Sequence, residues 1–117
     1  MQHPATKIKS WSEDDRPREK MMMKGRLALS DAELIAILIG SGTRELSAVQ
    51  LSQSILSKAE NNLNNLSRFS VYDLMKFKGI GEAKAISIFS ALELARRKSA
   101  TLKDKRPKIK SSKDAFN

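Results

Sequence analysis

Cysteine is absent from the 117 residues, and histidine occurs once, at position 3. Without thiols there is no disulfide, no thiolate nucleophile and no cysteine-ligated zinc. A lone histidine excludes a histidine-based metal centre among these residues. Aromatics are 5% of the chain, and only three prolines and five glycines interrupt it. That scarcity of strand-favouring and chain-breaking residues predicts an all-α fold. No apolar run reaches the ~18 residues of a membrane span, and the N-terminus lacks the apolar stretch of a secretory signal. A cytoplasmic protein with no membrane partner is therefore expected.

Acidic residues are also scarce against 22 lysines and arginines, for a net charge of +9. The excess is local. Residues 96–113 hold nine basic side chains (Arg96, Arg97, Lys98, Lys103, Lys105, Arg106, Lys108, Lys110 and Lys113) and one acid, Asp104. This stretch accounts for +8, so the remaining chain is nearly neutral. The high isoelectric point thus describes a tail and does not by itself make the folded body a basic surface.

What is present reads as about five helices. Asp14 and Asp15 ahead of Pro17, with Lys20, Lys24 and Gly25 behind, predict a short helix over 16–24, with the proline in its first turn. Ser30 with Glu33 is a capping box before a helix apolar nearly all round, ended by Gly40. Ser47 with Gln50 repeats the box, and Ala48, Leu51, Ile55 and Ala59 form one helical face. The asparagines at 61, 62, 64 and 65 predict a turn or a single helical turn. Ser70 with Asp73 starts another short helix. The longest is expected over Glu82 to Lys98, with Ala85, Ile88, Phe89, Leu92 and Ala95 on one face. By this reading residues 1–11 are a flexible N-terminus, 12–98 a helical domain and 99–117 a solvated basic linker.

The stretch KFKGIGEAKA, Lys76 to Ala85, is the candidate site. It is a poor nucleotide cradle: Lys84 stands where a dinucleotide fingerprint wants glycine or alanine, a helix precedes it where a strand is required, and the Walker A spacing is absent. No cofactor is expected. It fits a helix-hairpin-helix, in which Gly79 and Gly81 leave the backbone open to a phosphate, Ile80 plugs the space between the helices, and Lys76, Lys78 and Lys84 supply charge. Such a turn grips the DNA backbone without reading sequence. The bland alternative is a compact connection between helices with solvated lysines. A looser second turn, Gly40-Ser41-Gly42-Thr43-Arg44, lacks the apolar plug and reads more readily as structural. No nucleophile and base are paired by a recognisable motif, so the chain is expected not to be an enzyme.

Three blocks, DDRPREK, LSDAELIAILIGSGT and FKGIGEAKAISIFSALELARR, in this order and spacing, resemble the N-terminal domain of RadC-like proteins, the family labelled as bacterial DNA repair proteins. The resemblance runs from about Ile8 to Arg97. It implies a small helical domain similar to the second domain of RuvA, a Holliday-junction-binding protein, with a helix-hairpin-helix at Phe77 to Ala85. It also implies a downstream partner domain resembling the JAB/MPN zinc metalloproteases, whose His-x-His pair this chain lacks, so that the chain is an N-terminal fragment. One departure is Met21-Met22-Met23, where the family usually has leucines; these are expected at ordinary core or half-exposed helix positions. The competing functional expectation is a protein-interaction or scaffolding domain that positions the downstream one.

Overall fold

Three helices begin on a serine that trades hydrogen bonds with the residue three positions on. Ser30 Oγ accepts from the Glu33 amide at 3.2 Å, and Glu33 Oε1 accepts from the Ser30 amide at 2.8 Å, opening α2 (Asp31–Ile39). Ser47 and Gln50 open α3 (Ala48–Lys58) in the same way, and Ser70 with Asp73 opens α5 (Val71–Met75). Each cap is worth about 1 kcal/mol, because it satisfies amides that no helical carbonyl can reach. Between them the asparagine segment winds into a single turn, α4 (Leu63–Leu66), capped by Asn62 through the Asn65 amide.

The computed structural model describes residues 5–110, and their side chains over 13–102. Six α-helices and one 3-10 turn, Arg26–Ala28, make up the described residues, with no strand among them. The core is assembled from Ile35, Ala36 and Ile39 of α2, Ala48, Leu51, Ile55 and Leu56 of α3, and Leu66, Leu74, Ile80, Ala85 and Ile88. The anticipated α3 face, Ala48 through Ala59, is wholly buried. Buried Ser52 is satisfied by the Ala48 carbonyl at 2.8 Å. α2 packs on α3 and α6, and α5 packs on α6.

Both ends of the helical domain differ from the sequence-based expectation. α1 spans Ala5–Lys24, so residues 5–11 are helical and Pro17 lies inside the helix instead of opening it. The proline is tolerated because its ring is fully buried; tertiary packing outweighs the missing hydrogen bond. At the other end α6 runs Glu82–Lys110, through residues assigned to a linker. Ala100, Leu102, Lys103, Lys105 and Arg106 are good helix formers, and no glycine stops a helix already nucleated by packing. Residues 1–4 and 111–117 lie outside the described residues. Of the five residues expected to share one face of α6, Ala85 and Ile88 are buried and Leu92 is half-buried, whereas Phe89 and Ala95 are exposed. Met21 is half-buried, whereas Met22 and Met23 are 86% and 82% exposed.

α1 is pinned to α2 by Lys20, whose Nζ lies 3.1 Å from Glu33 Oε2. The hydrogen bond from the Ser30 amide, reinforced by Lys20, holds the Glu33 carboxyl below its usual 4.5. A depressed carboxylate contributes stability that is complete above 4.5 and is lost as pH falls through its folded value. Glu33→Gln keeps the cap acceptor but cannot titrate. Its acid-unfolding curve is expected to fall less steeply below pH 4.5 than that of the parent, as followed by circular dichroism.

Candidate nucleic-acid interface

α5 ends at Met75, and Lys76 to Gly81 lead directly into α6. Within this turn the Ile80 amide donates to the Phe77 carbonyl at 3.0 Å, and the Ile80 side chain is buried in the core. Gly79 has φ +96°, and a Cβ there would sit 2.3 Å from Thr43 Cγ2. Both the backbone conformation and the close approach require glycine. Gly81 differs: its carbonyl accepts from the Ala85 amide at 3.0 Å, making it the capping residue of α6, and nothing lies within 4 Å of where its Cβ would be.

This glycine cap distinguishes α6. α2, α3, α4 and α5 each open on a side-chain oxygen that accepts from the helix's third residue. Gly81 has no side chain to do so. Among the described residues no hydrogen bond engages the amides of Glu82, Ala83 and Lys84. They point out of a 29-residue helix at its positive end.

The three lysines have different environments. Lys78 is exposed and, among the described residues, forms no ion pair or hydrogen bond. Lys76 lies 3.6 Å from Asp73, with both side chains largely in solvent, so that pair is weak. Lys84 Nζ donates to the Ser41 carbonyl at 2.9 Å and reaches Ser41 Oγ at 3.3 Å. Among the described residues no carboxylate neutralises it there, so its charge stays on the surface between the two turns. Glu82, exposed at the start of α6, opposes this positive field.

The second turn lies against the first, through Gly79 on Thr43 and Lys84 on Ser41. Its donors are largely occupied. Asp14 Oδ2 accepts from the Gly42 amide at 3.2 Å, and Asp14 Oδ1 accepts from the Ala48 amide at 2.8 Å. Thr43 donates its amide to the Leu46 carbonyl at 2.7 Å, while its hydroxyl oxygen accepts from Glu45 and Leu46. Gly40 ends α2 with φ +81°, Ser41 faces Lys84, and Arg44 is exposed. A protein carboxylate therefore fills the anion position at the start of α3, whereas the start of α6 is open.

Asp14 was assigned only a place at a helix N-terminus. Its partners lie 28 and 34 residues away, and no local pattern signals such a contact. The basic run is also partly neutralised: Arg96 and Arg97 both bond Glu93, at 2.9 Å. Bonds from Arg96 and then Arg97 hold the Glu93 carboxyl down to about 2. Among the described residues no group of three or more histidine, cysteine, aspartate or glutamate side chains is placed to hold a metal. No described helix is long and apolar enough to cross a membrane.

Residues 8–86 match the family model described as UPF0758 N-terminal. A UPF0758 protein of Flavobacterium johnsoniae is 67% identical over 109 residues, covering 93% of this chain and 47% of that protein. The Porphyromonas gingivalis UPF0758 protein is 44% identical, over 93% of this chain and 48% of its own length. That of Staphylococcus aureus is 40% identical, over 92% and 47%. The chain thus spans about half the length of the curated relatives it matches. No solved structure matches it. The family match extends from α1 through the turn of Gly79 and Gly81 into α6, the segment that holds both turns, and on this ground the chain belongs to the UPF0758 N-terminal family.

Proposed function

We propose that this domain is a non-catalytic, sequence-independent DNA-binding module of a RadC-like protein acting in DNA repair in the cytoplasm, and that α5, its turn and the start of α6 work as a helix-hairpin-helix. The observation carrying this reading is the start of α6: a bare glycine cap and three unengaged amides, flanked by Lys78 and Lys84. A phosphate oxygen accepts from those amides, Gly81 lets the strand approach the backbone closely, and the lysines add Coulombic attraction. Phosphates carry no base information, so binding is indifferent to sequence. The expected affinity is on the order of 10⁻⁴ to 10⁻⁶ M at physiological salt.

Lys78→Ala is expected to reduce the slope of log K against log salt by about one, because one phosphate contact releases one fewer counterion. The measurement is a salt titration of duplex binding by the 117-residue chain. In parallel, Lys103, Lys105, Arg106, Lys108 and Lys110 are changed to glutamine. If only this second set weakens binding, the turn is not the DNA site. Backbone amide shifts clustered at Lys78 to Lys84 on titration with duplex or junction DNA would support the turn.

A second reading is favoured by exposed apolar side chains: Leu27 is 94% exposed, and Met22 and Met23 of α1 are 86% and 82% exposed. Through them the domain would serve as a protein-interaction surface that positions a downstream domain, which we take to be metalloprotease-like. Sedimentation of a full-length UPF0758 protein, with and without this domain, tests it; unchanged assembly counts against it.

A further inference from the structure

Beside the turn an open groove is lined by Lys58, Phe69, Asp73, Lys76 and Phe77. Lys76 and Phe77 belong to the turn segment itself, so the groove begins where the candidate phosphate site ends. Phe69 and Phe77 are half-buried and packed against the core, which holds each ring in place without covering it. Lys58 and Lys76 are exposed cations. Asp73 is ionised, its carboxyl held low by the Ser70 amide at 2.9 Å.

We propose that this groove receives one unpaired base from the DNA strand whose phosphate is held at the start of α6. The inference rests on the backbone-binding reading above and adds the kind of DNA that is preferred: duplex interrupted by an extrahelical base. The chemistry of the lining selects this occupant. Two preordered aromatic rings offer faces on which any base can stack. Lys58 and Lys76 complement the phosphates on either side of an extruded nucleotide. The Asp73 carboxylate repels a phosphate from the groove itself while accepting hydrogen bonds from a base edge, so the nucleotide enters base first. An apolar peptide would leave the Lys58 ammonium without a partner and the Asp73–Lys76 pair with no ligand to engage, and a free phosphate would leave the rings uncovered. A fully paired duplex cannot fill the groove, because its bases are stacked within the helix.

The test uses the 117-residue chain and fluorescence anisotropy with three versions of one labelled duplex: fully paired, carrying a single bulged base, and carrying an abasic residue at the bulge. The base-containing bulge is expected to bind about five- to a hundredfold more tightly than the other two. Phe69→Leu, outside the turn, keeps apolar packing but removes a stacking face and should abolish that preference while leaving paired-duplex affinity unchanged; Phe77→Leu should abolish the preference as well. Circular dichroism checks their fold. Lys58→Gln, at an exposed position that contributes nothing to the core, should weaken the bulged complex more than the paired one. Equal affinity for paired and bulged duplex, or for abasic and base-containing bulges, overturns the groove as a base site and leaves the backbone reading standing. Absence of binding to all three duplexes overturns both.

Discussion

Gly79→Ala is expected to destabilise the domain by about 2–4 kcal/mol, the sum of a left-handed backbone cost and an overpacking cost. The backbone cost arises because φ is +96° there. Overpacking arises because the new Cβ would lie 2.3 Å from Thr43 Cγ2 and 3.3 Å from Leu51 Cδ2. For a domain of this size the drop in Tm is on the order of 10–20 °C by thermal melting. The two costs are separable. Thr43→Ser removes the offending methyl but keeps the hydroxyl that accepts from Glu45 and Leu46. Gly79→Ala combined with Thr43→Ser should therefore recover about half the loss, leaving the backbone share of about 1–2 kcal/mol. If the double variant is no more stable than Gly79→Ala, the two turns are not in the contact described. A glycine that helix-hairpin-helix reasoning reserves for phosphate approach would then be required only by its own dihedral angle.

Asp14→Ala should cost about 3 kcal/mol, since it strips two partly buried backbone amides of a charged acceptor. The Gly42 and Ala48 amides have no other acceptor among the described residues, and both lie where α2 turns into α3. Asp14→Asn discriminates charge and geometry from bulk. It retains one acceptor oxygen but points an NH₂ group at the other amide, so it should lose at least half as much as alanine. Thermal melts give the magnitude, and amide hydrogen exchange gives the place: protection at Gly42 and Ala48 should fall first. An Asp14→Asn protein as stable as the parent would refute the two-amide clamp. The clamp also bears on function. While Asp14 occupies the start of α3, that helix end cannot take a phosphate, which is why the proposed DNA contact is assigned to the start of α6.

Much of the secondary structure was legible because its signals are local. A serine three residues ahead of an acid or amide specifies a helix start through bonds made within one turn, and all three such starts formed as expected. The α3 face was legible because helical periodicity alone determines which residues share a side. The α1 start was not. Proline inside a helix violates the local rule, and only burial of its ring against the rest of the domain makes the exception stable. The extension of α6 past Lys98 was missed because charge density was read as a sign of solvated linker, although lysine and arginine are good helix formers once a helix is under way.

The amino-acid sequence by itself determined the all-α class, the capped helix starts, the absence of thiols and of the histidines for a multi-histidine metal site, and the glycine turn as the place to look. These depend on residue type and on neighbours within a few positions. The tertiary structure decided which anion positions are already filled. Asp14 reaches across 28 and 34 residues to close one helix end, Lys84 reaches across 43 to Ser41, and Gly79 meets Thr43. Such contacts follow from how the helices pack, and a pattern confined to one turn of chain carries no record of them.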